Sequence, residues 1–173
     1  MNTDTLAGDV ATVTVFVEVS QADAFEVFTD EIDQWWRQGP RFRINGRGRG
    51  VLQFEHGVGG RLFETFPDGA GGTRTIAVGR ILTWDPPARL EFEWRGVNFK
   101  PDESTHVSVS FVAFDEGTEV TVRHRGWSRI PDDHPARHGL VGGAFVRHIG
   151  LWWGDLLSSL REHAARRGRS PHE

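Results

Sequence analysis

The segment from His138 to Arg167 limits what the rest of the chain can be. Within it Phe145, Ile149, Trp152, Leu156 and Leu160 recur every three or four residues, and Trp153, Leu157 and Ala164 broaden the same stripe. This spacing predicts one helix with a wide apolar face. At roughly 1.5 Å per residue, about 25 residues of helix extend nearly 40 Å, the width of an entire domain of this size. Burying such a face takes an apolar surface of similar length, which the preceding residues have to supply.

They supply it as strands. VATVTVFVEV at 10–19 alternates, with Val13, Val15, Val17 and Val19 on one face. Ser20 is placed as an N-cap, with Asp23 in the capping-box position, for a short helix that carries Ala24, Phe25, Val27 and Phe28 and ends near Thr29. A second helix starts at Asp30, carries Ile32, Trp35 and Trp36, and stops at Gly39-Pro40. PRFRINGRGRG at 40–50, with Arg41, Arg43, Arg47 and Arg49, reads as a solvated loop or weak edge strand. No glycine-rich turn here runs into a helix N-terminus, as a phosphate site would need.

Strands then follow from Val51 to Glu55, Arg61 to Phe66, Thr73 to Trp84, Arg89 to Arg95, Thr105 to Phe114 and Thr118 to Trp127. The turns between them are rich in glycine, proline and aspartate, notably Gly57 to Gly60, Asp85-Pro86-Pro87 and Asp115-Glu116-Gly117. Alternation turns Leu90, Phe92 and Trp94 inward, then Val107, Val109, Phe111 and Ala113, then Val120, Val122 and His124. A polar connector, SRIPDDHPARHG, leads into the long helix. Strands in hairpins with no helices between them form an antiparallel sheet. The expected fold is α+β, in the order β-α-α-β6-α, as one domain over 10–166 with loose ends at 1–9 and 167–173.

Composition narrows the function classes. The absence of cysteine excludes disulfides, thiolate metal sites and cysteine nucleophiles. A formal net charge of −4 gives no electrostatic case for nucleic acid or an anionic membrane. No 18-residue apolar run occurs, and the N-terminus lacks the basic and apolar regions of a signal peptide, so a cytoplasmic protein is expected. Seven tryptophans and 12 phenylalanines supply flat apolar rings that can either line a cavity or fill a core.

Several motifs carry a family resemblance. They are Ala24 to Asp30 (AFEVFTD) with Trp35-Trp36; Gly59-Gly60-Arg61 with Glu64; Gly79-Arg80-Ile81-Leu82 running into Asp85-Pro86-Pro87-Ala88-Arg89-Leu90; Gly117-Thr118-Glu119-Val120 with His124-Arg125-Gly126-Trp127; and Trp153 with Leu157 and Leu160. With the element order, they make the chain resemble the START-like or SRPBCC superfamily, whose helix-grip fold is also that of the birch-pollen allergen, over residues 10 to 165. Within that superfamily it is most similar to proteins resembling the activator of heat-shock-protein-90 ATPase. The resemblance implies a curved antiparallel sheet gripping the long helix, with a cavity between them that binds lipids, sterols, polyketides or hormones in some members and houses cyclase, dehydratase or hydrolase chemistry in a few. The eukaryotic co-chaperone behind the family name adds a separate middle-segment-binding domain, for which this chain has no room. Co-chaperone activity is therefore not expected.

The expected function is binding of a small apolar or aromatic molecule in that cavity, without cofactor or metal. The candidate lining comprises Trp35, Trp36, Phe54, Phe63, Trp84 and Phe92, with Trp94, Phe111, His124, Trp152 and Trp153; large rings closing these into a solid core is the alternative. Arg61 and Glu64 fall on opposite faces of a regular strand, so a direct pair needs a bulge near Gly59-Gly60. Either they fix the hairpin or one of them projects into the cavity to hold a polar end of the ligand. His124, the histidine that parity turns inward, is the acid/base candidate, with Glu64 second; a hydrogen-bonded core histidine is the competing role. His148 borders the helix's apolar face as a further ligand contact. His134 and His138 are four apart but lack the glutamate of an HExxH arrangement. Two other functions stay open: a cavity enzyme of the polyketide cyclase or dehydratase type, and an interaction module, within a homodimer, that uses exposed tryptophans such as Trp127 or the 40s loop.

Overall fold

The computed structural model describes residues 9–44, 50–96 and 98–169. Seven strands form one antiparallel sheet: β1 (Ala11–Val17), β2 (Val51–Phe54), β3 (Arg61–Pro67), β4 (Thr73–Asp85), β5 (Arg89–Trp94), β6 (Thr105–Phe114) and β7 (Gly117–Arg125). Their spatial order is β1-β7-β6-β5-β4-β3-β2, so successive strands from β2 to β7 are hairpin neighbours and β1 closes the far edge against β7. Two short helices, α1 (Gln21–Asp30) and α2 (Ile32–Trp35), connect the two edge strands, and α3 (Gly142–Arg169) lies across the concave face. The core is the layer between α3 with α1 and that face. No described helix is long and apolar enough to cross a membrane.

Local chemistry sets these elements. The Ser20 hydroxyl accepts from Asp23 N at 3.2 Å and starts α1, as the capping pattern predicts. Alternation along β5 to β7 buries Leu90, Phe92, Val107, Val109, Phe111, Val120, Val122 and His124. Ala113 shares that face but lies exposed near the β6–β7 turn. The last strand ends at Arg125 and not Trp127, because Gly126 takes φ +91° and turns the chain into a 3₁₀ turn, Trp127–Arg129. Trp127 is thereby folded under the sheet and is 3% exposed, which removes it as an interaction surface.

The β3–β4 pairing skips a residue between Leu62 and Phe63, leaving Val78 as the extra position of a bulge. Both Val78 and Gly79 are buried. At this point β5 passes so close that a Cβ on Gly79 would overlap the Glu93 carbonyl. The bulge bends β4 and curls the sheet toward the helix.

Along α3 the buried residues are Phe145, Ile149, Trp153, Leu156, Leu157, Leu160 and Ala164. The stripe is rotated from the expected one: Trp153 is its centre and Trp152 its half-buried margin. Each of these side chains larger than alanine contributes roughly 1.5–3 kcal/mol relative to exposure. The helix also runs past 166, where Arg167 forms an ion pair with Glu31 and lies 3.3 Å from Glu26.

Two glycine substitutions should therefore act in opposite directions. Gly79→Ala forces a strand apart and is expected to cost at least about 3 kcal/mol or abolish folding. Gly154→Ala, inside α3 with open space at the Cβ position, is expected to stabilise by about 1 kcal/mol. Urea unfolding midpoints of the two variants check both signs.

Candidate functional site

A cavity of about 660 Å³ opens between the first half of α3, the 36–44 turn and the inner faces of β2 to β5. Residues 95, 96, 98 and 99, with Pro135, Ala136 and His138 of the connector, complete its rim. One wall is a cluster of rings centred on Trp36. Its centroid lies 5.7 Å from Trp94, 5.7 Å from Trp152 and 5.5 Å from Trp153, edge-on to the last two and stacked on the first. Phe42 stacks on Trp152 at 5.8 Å. Leu52, Val78 and Ile149 add aliphatic surface.

Two buried arginines shape the irregular segments beside the cavity. Arg43, whose side chain is fully covered, donates from Nη1 to Asp33 Oδ1 at 2.6 Å, from Nη2 to the Trp36 carbonyl at 2.7 Å and from Nε to the Arg37 carbonyl at 3.2 Å. It thus caps the carbonyl end of α2, while Asp33 Oδ1 also accepts from Leu52 N at 2.9 Å, tying the turn to β2. The solvated loop expected at 40–50 is in this respect wrong. Arg47 and Arg49 lie outside the described residues, and Arg41 alone of the four is exposed in the described part. Arg137 does the same for the connector, donating to the carbonyls of Trp127, Ile130 and Pro131 and packing over the Phe145 ring at 4.8 Å.

His124 borders the cavity but its nitrogens are occupied. Trp153 Nε1–H donates to Nδ1 at 3.0 Å, which fixes Nδ1 as the acceptor and puts the ring proton on Nε2. Nε2–H donates to Thr105 Oγ1 at 2.7 Å, and that hydroxyl donates to the Trp94 carbonyl at 2.9 Å. The relay runs from helix to sheet with each polar atom used. Burial first, then the nearby His106, lowers the imidazole to about 3. A group so placed is poorly suited to proton transfer near neutral pH, and the geometry gives it a structural role.

Glu64 is 1% exposed and lies on the sheet side of the cavity. Gly50 makes room for it, since a Cβ there would overlap the carboxylate. Arg61 does not approach it. Arg61 Nε donates to Glu55 Oε1 at 2.7 Å across the hairpin, both residues are exposed, and the pair holds the Glu55 carboxyl below its usual value, chiefly through that hydrogen bond. Opposite parity prevails because the extra residue of the bulge, Val78, belongs to β4, so β3 itself stays regular from Arg61 to Glu64.

The expected lining residues divide into two sets. Trp36, Trp94, His124, His148 and Trp152 border the cavity. Trp35, Phe92 and Phe111 belong instead to a closed aromatic core under α1, where Phe28 lies 4.9 Å from Trp35 and 5.7 Å from Phe111. Phe54 packs on Phe92, Trp153 is consumed by the His124 contact, and Trp84 sits against Phe25 and His56. Phe63 lies beneath Arg61. Parity and size identify an inward ring but not which half of the layer it enters.

Residues the periodic patterns do not reveal complete the mouth: Arg41, Phe42, Arg95, Phe99 and His138. All come from irregular segments or strand ends. His134 and His138 do not share a face. His134 turns to Glu103 at 3.1 Å and accepts from Ala136 N, whereas His138, at φ +50°, lies 5.3 Å from the His148 ring. Among the described residues no three metal-ligating side chains converge.

Similar architectures occur among solved structures. A Nitrosomonas europaea protein matches over 95% of this chain and 99% of its own, at 14% identity and a TM-score of 0.61. An HSP90 activator from Plasmodium falciparum matches over 91% and 97%, at 17% identity and a TM-score of 0.60. CalU16 from Micromonospora echinospora matches over 90% and 75%, at 14% identity and 0.54. At these identities the likeness shows the fold alone. No curated protein matches the sequence. The sequence profile of a family described as "Activator of Hsp90 ATPase homolog 1-like protein" matches residues 18–163.

The His124 relay makes a pH-dependent contribution to stability. Its folded value lies below the ordinary histidine value, so protons favour the unfolded chain, and the contribution is complete above about pH 6.5 and lost as pH falls toward 3. Between pH 7 and 5.5 this amounts to about 1 kcal/mol. Urea unfolding at the two pH values should show that difference in the parent protein beyond whatever remains in His124→Gln. Equal pH dependence in both would place the proton uptake elsewhere.

Proposed function

The chain belongs to the family of activator of Hsp90 ATPase homolog 1-like proteins, and from that membership we propose that it binds a small, largely aromatic molecule in the cavity between sheet and α3. One observation carries the reading: four large rings, Trp36, Trp94, Trp152 and Trp153, pack against one another beside the cavity and still leave about 660 Å³ unfilled. Space of this size, apolar-walled with a few polar groups on its border, fits a ligand of two to four fused rings. A core evolved only for stability has no use for it, since unfilled apolar volume is destabilising.

A second reading, a cavity enzyme of the polyketide cyclase or dehydratase type, has Glu64 in its favour. A buried side-chain carboxyl that borders the cavity is a candidate proton acceptor for a bound substrate. Under this reading Glu64→Gln retains binding and loses turnover, and His124 acts only by holding the helix. The reading also includes a cytoplasmic homodimer, for which exposed Phe16, Val112 and Phe114 on the outer face of the sheet offer apolar surface; sedimentation at micromolar concentration measures that association.

Native mass spectrometry of the purified protein, followed by denaturation, should release a small molecule of defined mass. Ala136→Trp, which pushes a ring into the rim, is expected to weaken binding about tenfold or more while leaving the thermal midpoint within a few degrees. An empty protein that also shows no thermal shift with fused-ring aromatics would mean the space is packing imperfection.

A further inference from the structure

Polar groups are unevenly distributed around the cavity. The walls are rings and aliphatic side chains, Glu64 lies on the sheet side, and the basic groups Arg41, Arg95, His138 and His148 gather at the mouth. Of these, Arg95 is committed: its Nε donates to the Glu103 carbonyl at 3.1 Å and its Nη2 to the Lys100 carbonyl at 2.6 Å, shaping the 100–103 turn. Arg41 is differently placed. Its guanidinium lies 5.0 Å over the Phe42 ring, Phe42 stacks on Trp152, and Trp152 Nε1 donates to the Arg41 carbonyl at 2.7 Å. The cation is thus held over the aromatic rim, with Asp155 at 3.6 Å as an exposed and loosely paired counter-ion.

We propose that the bound molecule is an aromatic carboxylate, its rings inside the cavity and its carboxylate at the mouth on Arg41 and His148, with His138 beside them. The inference rests on the reading of the cavity as a ligand site and specifies the chemical class of ligand. Two further observations favour an anion. Burial lowers the His148 imidazole most, and His138 and Arg41 lie near enough to lower it further, so two basic side chains beside His148 face an anion entering at this corner. Buried Arg137, next in sequence to His138, donates only to carbonyls and has no carboxylate within ion-pair distance among the described residues, so its charge adds to the same field. An arginine fork and an imidazole N–H are the donors that recognise a carboxylate edge.

The test uses one ring system with and without the charge. Binding of 2-naphthoate and of neutral 2-naphthamide at pH 7 is measured by quenching of tryptophan fluorescence and by calorimetry. Naphthoate is expected to bind roughly tenfold more tightly than the amide. Arg41→Gln and His148→Gln should each weaken naphthoate about fivefold and change naphthamide less than about twofold. Thermal unfolding of both variants confirms that they are folded. Equal or tighter binding of the amide, or variants that weaken both probes alike, would overturn the carboxylate assignment while leaving the cavity a ligand site. Failure of both probes to bind the parent protein would overturn the assignment and the cavity reading together.

Discussion

The contact between Trp153 and His124 sets the relation of helix to sheet. Apolar faces can slide or settle closer, but an indole N–H donating to a buried imidazole at 3.0 Å has one length and one orientation. Because the imidazole passes the constraint to Thr105 and then to the backbone of β5, α3 is fixed to the middle of the sheet. Toward its C-terminal end, Leu156, Leu157, Leu160 and Ala164 close against the sheet and α1, where His163 and Arg167 add contacts to Glu31. Toward its N-terminal end the helix stands over the cavity. Breaking any link would leave a buried polar group without its partner, at a cost of about 1–3 kcal/mol.

That division explains how a chain so rich in aromatic side chains keeps an open space. Phe25, Phe28, Trp35, Phe92 and Phe111 occupy the half under α1 and fill it. In the other half the rings lean on one another around Trp36, with indole N–H groups of Trp36 and Trp152 donating to the carbonyls of Phe42 and Arg41. A ring whose polar edge is tethered to the backbone cannot rotate into the gap.

Much of this architecture is legible in the sequence. Period-two alternation in β5, β6 and β7 and the helical stripe of α3 specify the sheet, the helix and the inward turn of His124, because one buried face leaves little choice of register. The stripe misplaces Trp152 relative to Trp153 because the two are adjacent, and only the partner of the indole nitrogen decides between them. The cavity is less legible. Its mouth is built from Arg41, Phe42, Phe99 and His138, which sit where the chain has no period, and the carboxylate partner of Arg61 is Glu55, set by hairpin register. Arg43 and Arg137 look solvated in sequence, since their acceptors are mostly main-chain carbonyls that exist only once the turns have formed.

Those two arginines separate the walls of the cavity from the frame that carries them. The carbonyls held by Arg43 lie six to ten residues away, and those held by Arg137 six to ten residues away on the other side of the mouth. Each segment is therefore stitched mainly to itself, and the side chains it displays, Phe42 and Ile44 on one, Pro135 and Ala136 on the other, are not the ones that hold it closed. Substitution there changes the shape of the cavity mouth without unpicking sheet or helix. On the proposed ligand-binding role, a lineage can exchange one small molecule for another by editing a few rim positions, keeping the same scaffold while its chemistry of recognition diverges.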